Sequence, residues 1–127
     1  MPDKLNQVVA SEPSLGTLHP HYKELITNAG YAVAGYTTID PTAELPAGAT
    51  MLYIWIQQKA AAANTDVQVF TDSTPTPAGP FFVARNAVAA GYGMASGLVR
   101  LSSIRKFVIY NSAAVTEVFV RMFFYGC

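Results

Sequence analysis

A chain of 127 residues fits a single domain, and at that length folding hides roughly two-thirds of the unfolded surface. The composition is 51% hydrophobic, 12% aromatic and only 13% charged, against about 25% charged in typical soluble domains, so Thr, Ser, Asn, Gln and Ala carry the surface and partners are expected to cover part of it. Eight basic and eight acidic residues cancel, which excludes the basic stripe needed to displace counterions from nucleic acid and any attraction to an acidic membrane surface.

The chain begins MPDKLNQVVASEPSLG, with Pro2, Pro13 and then Pro20 among Ser11, Ser14, Gly16 and Thr17. There is no basic segment followed by an apolar one, so it does not read as a secretory leader. It reads as an extended arm, residues 1–20, ahead of a single β-sandwich domain, residues 21–127. Such an arm orders only when something ties it down. A neighbouring subunit is one anchor, and the apolar patch containing Val8 and Val9 is its candidate contact.

PHYKELITN, from Pro20 to Asn28, allows one or two helical turns ended by Gly30, or equally a turn and strand. YAVAGYTTID from Tyr31 is rich in β-formers and stops at Asp40-Pro41; PTAELPAGAT is a loop fixed by its prolines and Gly48. MLYIWIQQ, from Met51, is the clearest core strand. Leu52, Ile54 and Ile56 lie on one face and Met51, Tyr53 and Trp55 on the other, apolar on both, so the strand should be central, with Trp55 buried. KAAAANT is a connection, and DVQVFTD alternates as a half-buried strand. STPTPAGP, with three prolines and a glycine, can be neither helix nor central strand.

FFVARN is a further strand, AVAAGYGMASG a small-residue loop or irregular edge, and LVRLSSI and KFVIYN are strands. TEVFVRMFFYG closes the series. Turn signals every 8–14 residues between short strands, without βαβ alternation, indicate an all-β fold: an antiparallel, jelly-roll-like sandwich or a barrel of about seven or eight strands.

Chemistry-bearing constellations are sparse. His19 and His21 in LHPHYKE project to one side of an extended chain, but a metal needs three or four ligands and Glu24 is the nearby carboxylate. No GxSxG elbow accompanies them, and Asp66 and Asp72 lie about 20 Å apart along a strand, too far to share a cleft. The glycines of AAGYGMASG lack the Lys and Ser/Thr of a phosphate loop. Arg100, Arg105 and Lys106 read as solvated positions near strand ends, and the lone Cys127 can form no intrachain disulfide. The residues therefore imply no catalytic group, no metal and no cofactor, and no run approaches the length of a membrane helix.

What remains is surface. On the final strand, alternation places Thr116, Val118, Val120, Met122 and Phe124 on a core face and Glu117, Phe119, Arg121, Phe123 and Tyr125 on the other. Aromatic residues and Arg are enriched where a partner covers a surface, so Phe119, Arg121, Phe123 and Tyr125, with Val8 and Val9, are the candidate interface. Cover by the chain's own arm is the alternative. A second reading of the same chain is a carbohydrate- or receptor-binding module of phage tail or fibre type, with Tyr92, Trp55 and Tyr36 as candidate stacking platforms and Tyr92 favoured.

The proline-punctuated arm MPDKLNQVVASEPSLG, the Ala/Thr/Gly-rich β-body and the closing pair KFVIYNSAAVTEVFVRMFFYG resemble small virion proteins of tailed bacteriophages, in particular capsid decoration (cement) proteins. The resemblance implies a homo-oligomer, a trimer favoured, made in the host cytoplasm and seated on the capsid exterior against the major capsid protein. There it would stabilise the head by bridging capsomers. Neck, tail and fibre components share the same composition.

Overall fold

The computed structural model describes residues 17–71 and 80–127. Val8, Val9 and the rest of the arm up to Gly16, Asp72, and the proline loop as far as Gly79 lie outside the described residues. Among the described residues eight strands follow in chain order: β1 Leu18–Tyr31, β2 Gly35–Ile39, β3 Met51–Lys59, β4 Asp66–Phe70, β5 Phe82–Arg85, β6 Tyr92–Arg100, β7 Phe107–Asn111 and β8 Val115–Gly126. One turn of 3-10 helix, Thr42–Glu44, stands between β2 and β3.

They form two antiparallel four-stranded sheets, ordered β1-β8-β3-β6 and β2-β7-β4-β5. The pairs β1–β8, β2–β7, β3–β6 and β4–β5 nest one inside the next. The chain is thus one long hairpin folded over on itself, and the β3–β8 and β4–β7 pairings gather it into two sheets. That connectivity is a jelly-roll sandwich, the architecture expected from the strand count.

The core lies between the sheets. Leu52, Ile54 and Ile56 of β3 and Val118, Val120 and Met122 of β8 meet Val67 and Val69 of β4 and Phe107 and Ile109 of β7, all buried. Burying each such side chain contributes roughly 1.5–3 kcal/mol, so these two central strands anchor the first sheet. At one end of the core the filling turns polar. Asn86 donates from Nδ2 to the carbonyls of Ala62 (2.9 Å) and Val88 (3.0 Å), while its Oδ1 accepts from the Thr65 amide (2.9 Å) and Gln58 Nε2 (3.3 Å). Gln58 Nε2 also donates to Thr65 O at 2.7 Å.

One open alternative is decided and three local expectations need correction. PHYKELITN takes the strand alternative: it belongs to β1, an edge strand, where the missing N–H of Pro20 is tolerated and several bulges absorb the irregular pattern. YAVAGYTTID is split, because β1 ends at Tyr31 and β2 starts at Gly35. YGMASG is ordered strand at the start of β6, the edge strand of its sheet and not a loop, while LSSI after Arg100 is a turn. The small residues of β6 are there for clearance: a Cβ on Gly93 would lie 2.3 Å from the Arg85 carbonyl carbon, and one on Gly97 2.8 Å from the Phe82 ring. Finally, Trp55 is only half-buried and stands on the outer face of the first sheet.

Candidate functional site

The outer face of β1-β8-β3-β6 is where the sequence concentrates its aromatic side chains. Registers with both neighbours of β3 align its outward residues into rows running β8–β3–β6: Glu117–Lys59–Tyr92, Phe119–Gln57–Met94, Arg121–Trp55–Ser96 and Phe124–Tyr53–Leu98. β1 places Glu24 beside Arg121. Trp55, Phe119, Phe123 and Phe124 are half-buried, whereas Tyr22 (56%), Tyr92 (53%) and Met94 (62%) are largely exposed. A face this apolar on one side of a sandwich is what a partner surface looks like.

Arg121 is its centre. Its guanidinium carbon lies 5.0 Å from the centre of the Trp55 ring and 5.8 Å from that of Phe119, close enough for the ring quadrupoles to attract the charge. Nε is 3.4 Å from Glu24 Oε1, yet that N–H is shielded from solvent and makes no hydrogen bond. The cation is therefore held by charge and ring contact, with hydrogen-bonding capacity left over. Glu24 is positioned in turn by the Thr27 hydroxyl, which donates to Oε2 at 2.8 Å. Around this centre Tyr22 packs against Phe123 at 5.4 Å and Tyr53 meets Phe124 edge-on at 6.1 Å.

Of the residues expected at an interface, Phe119, Arg121 and Phe123 share this face; Val8 and Val9 lie outside the described residues. Tyr125 and Phe124 exchange the places that alternation predicts. Tyr53 pairs with Phe124 and Ile54 with Met122, so Phe123 is an extra residue bulged out of β8. Strict alternation resumes one residue out of phase: Phe124 joins the outer face beside Tyr53, while Tyr125 pairs with buried Leu52 and packs against the core. Trp55, Phe124, Tyr22 and Glu24 are members that the sequence reading missed. Their signal is cross-strand register, which no single strand displays.

The two histidines lie near the start of β1 and meet different partners. His19 stacks on Tyr125 at 5.0 Å, and His21 Nε2 lies 3.3 Å from Glu44 Oε1, not from Glu24. Among the described residues no three His, Cys, Asp or Glu side chains gather as a metal-holding group. Arg105 donates to the Pro46 carbonyl and Lys106 pairs with Asp40 at 3.8 Å, so two of the three clustered basic residues tie loops together. Among the described residues no helix is long and apolar enough to cross a membrane.

No protein-family model matches the sequence, and no curated protein sequence does either. Among solved structures the chain is similar to the coat protein of Tobacco streak virus, with a TM-score of 0.43 and 7% identity over 84% of this chain and 85% of that one. The jelly-roll assignment rests on the strand order, and the site on its own geometry.

Proposed function

We propose that the protein is a non-enzymatic virion structural subunit, a capsid decoration or cement protein of a phage head, which self-associates through the outer face of its first sheet. The observation that carries this reading is the cluster of Trp55, Phe119, Phe123 and Phe124 around Arg121 on a face that the two-sheet core leaves uncovered. Its charges balance, Glu24 against Arg121 and Glu117 against Lys59, so a second copy of the same face meets it without net repulsion. The face measures about 30 Å by 15 Å from strand rise and spacing, the footprint of a modest subunit contact. Modest contacts suffice in a lattice, where avidity multiplies them.

On this reading the protein is a homo-oligomer, a trimer favoured, carried on the capsid exterior against the major capsid protein, with residues 1–16 as a second contact. Light scattering of the purified chain and co-sedimentation with undecorated capsids test it. The expected result is an oligomer that binds capsids. A monomer that ignores capsids overturns the reading. Deletion of residues 1–16 is expected to leave the β-body folded and to weaken assembly.

A further inference from the structure

We propose that the end of the first sheet holds a binding site for a neutral carbohydrate, in an open pocket of about 460 Å³. The pocket is built from three strands and two connections, Ala60 and Ala61 coming from the one between β3 and β4. Asn28 comes from β1, Lys59 from β3, Thr116 and Glu117 from β8, and Ala90 from the connection between β5 and β6. Tyr92 completes the row Glu117–Lys59–Tyr92 on β6, its ring more than half exposed and 5.3 Å from the Lys59 ammonium.

The chemistry suits a sugar ring better than other small ligands. A pyranose presents alternating donors and acceptors on one edge and an apolar C–H face on another, and a polar-lined pocket with an exposed ring standing beside it, here Tyr92 next to the lining Lys59, matches that division. Lys59 Nζ and Glu117 Oε2 are 3.8 Å apart, too far for a hydrogen bond, so a donor and an acceptor stand side by side with capacity to spare. The Thr116 hydroxyl donates to the Lys59 carbonyl at 2.9 Å and keeps its oxygen lone pairs as acceptors. Asn28 adds an amide that both donates and accepts. The single cation and single anion cancel, which leaves no net positive charge for a phosphate or a carboxylate. Two residues of the rim, Asn28 at φ 50° and Ala90 at φ 58°, hold the left-handed backbone region. Alanine adopts it only when tied, here by its N–H donating to the carbonyls of Ala60 (2.9 Å) and Ala61 (3.2 Å).

The other aromatic candidates separate in space. Trp55 lies two rows away beneath Arg121, and Tyr36 is on the second sheet, packed against Tyr110 at 4.7 Å. The pocket shares Lys59 and Glu117 with the end of the proposed subunit contact but not its centre at Trp55 and Arg121, so variants at Trp55 and at Tyr92 tell failure of one from failure of the other.

Saturation-transfer NMR on the full chain, titrated with the methyl glycosides of glucose, galactose, mannose and N-acetylglucosamine, tests the proposal. At least one glycoside is expected to bind in the millimolar range, with ring protons saturated. Tyr92→Ala and Glu117→Gln should each weaken that binding at least about tenfold, while Tyr36→Ala and Trp55→Ala leave it unchanged; circular dichroism checks that each variant is folded. Absence of transfer to all four glycosides overturns the site, as does full affinity in both Tyr92→Ala and Glu117→Gln. Tighter binding of galactose 6-phosphate than of galactose overturns the neutral-ligand assignment.

Discussion

At the scale of single residues, two polar groups set how this sandwich responds to mutation and pH. Asn86 is fully buried and satisfies both its own amide and the backbone of two loops. Asn86→Ala leaves the buried Thr65 amide without its acceptor, whereas the carbonyls of Ala62 and Val88 keep the Thr65 hydroxyl and the Gly91 amide as donors, and a buried unpaired group costs about 1–3 kcal/mol. The expected loss is about 2 kcal/mol, read from the shift in urea midpoint at constant slope. Asp66 sits at the start of β4 with Arg85 across the strand pair; Arg85 Nε and Nη2 donate to its two oxygens, the second at 2.9 Å. The hydrogen bonds from Arg85 hold the Asp66 carboxyl below its ordinary range, against the opposing effect of burial, and the Arg85 charge lowers it further. A carboxyl depressed in the folded state contributes stability that is present above its unfolded value, about 3.9, and is lost as pH falls through the folded value. Arg85→Met is therefore expected to be less stable than the parent at pH 7. The gap should narrow as pH falls below the unfolded value of about 3.9 and through the lower folded one, until the carboxyl is protonated in both states. Denaturant titrations from pH 7 downward check it.

At the scale of elements, the features that matter most are places where a strand departs from regularity. The extra residue Phe123 in β8 sends Phe124 outward and Tyr125 inward. Alternation read along the strand is correct from Val118 to Met122 and inverted for these two. The hydrophobic character of Phe124 and Tyr125 is nearly the same, so nothing in their identity shows the change of phase. β6 illustrates a different cause. Its glycines resemble a loop by composition, yet Gly93 is required because the backbone of β5 crosses directly over it. Gly93→Ala drives a methyl into the Arg85 backbone, which has no rotamer to yield, and overpacking of this kind costs about 1–3 kcal/mol or more. Gly35→Ala, where a Cβ meets nothing within 4 Å, is the matched control and is expected to lie within about 0.5 kcal/mol of the parent. Thermal unfolding followed by circular dichroism separates the two.

At the scale of the whole molecule, the sandwich divides its apolar surface unequally. One set of β3 and β8 side chains is sealed between the sheets, and the other, Trp55, Phe119, Phe123 and Phe124 around Arg121, is left half-covered. If a second copy covers it, Trp55→Ala and Arg121→Glu should weaken self-association by about 2 kcal/mol or more each, the loss expected for central aromatic and Arg positions. Monomer stability should change less, because neither side chain belongs to the core. Sedimentation equilibrium measures the first quantity and denaturation of the dilute protein the second. An association constant unaffected by both variants removes this face from the assembly.

The chain order of β-forming segments and their proline and glycine punctuation determined by themselves an all-β antiparallel sandwich or barrel, and alternation along the last strand determined that Val118, Val120 and Met122 face its core; which face of MLYIWIQQ turns inward was left to the tertiary structure. Those are properties of period and turn chemistry, carried within each segment. That Phe119, Arg121 and Phe123 share the outer face was legible for the same reason. Only the tertiary structure decided that Trp55 lies outside under Arg121, that Tyr125 faces the core, that Glu44 rather than Glu24 meets His21, and that Lys59, Glu117 and Tyr92 form one row. Each of these depends on register between strands far apart in sequence. Register is set by a bulge, by a crossing backbone at Gly93 and by the nesting of the hairpin, and none of these is encoded in the periodicity of a single strand.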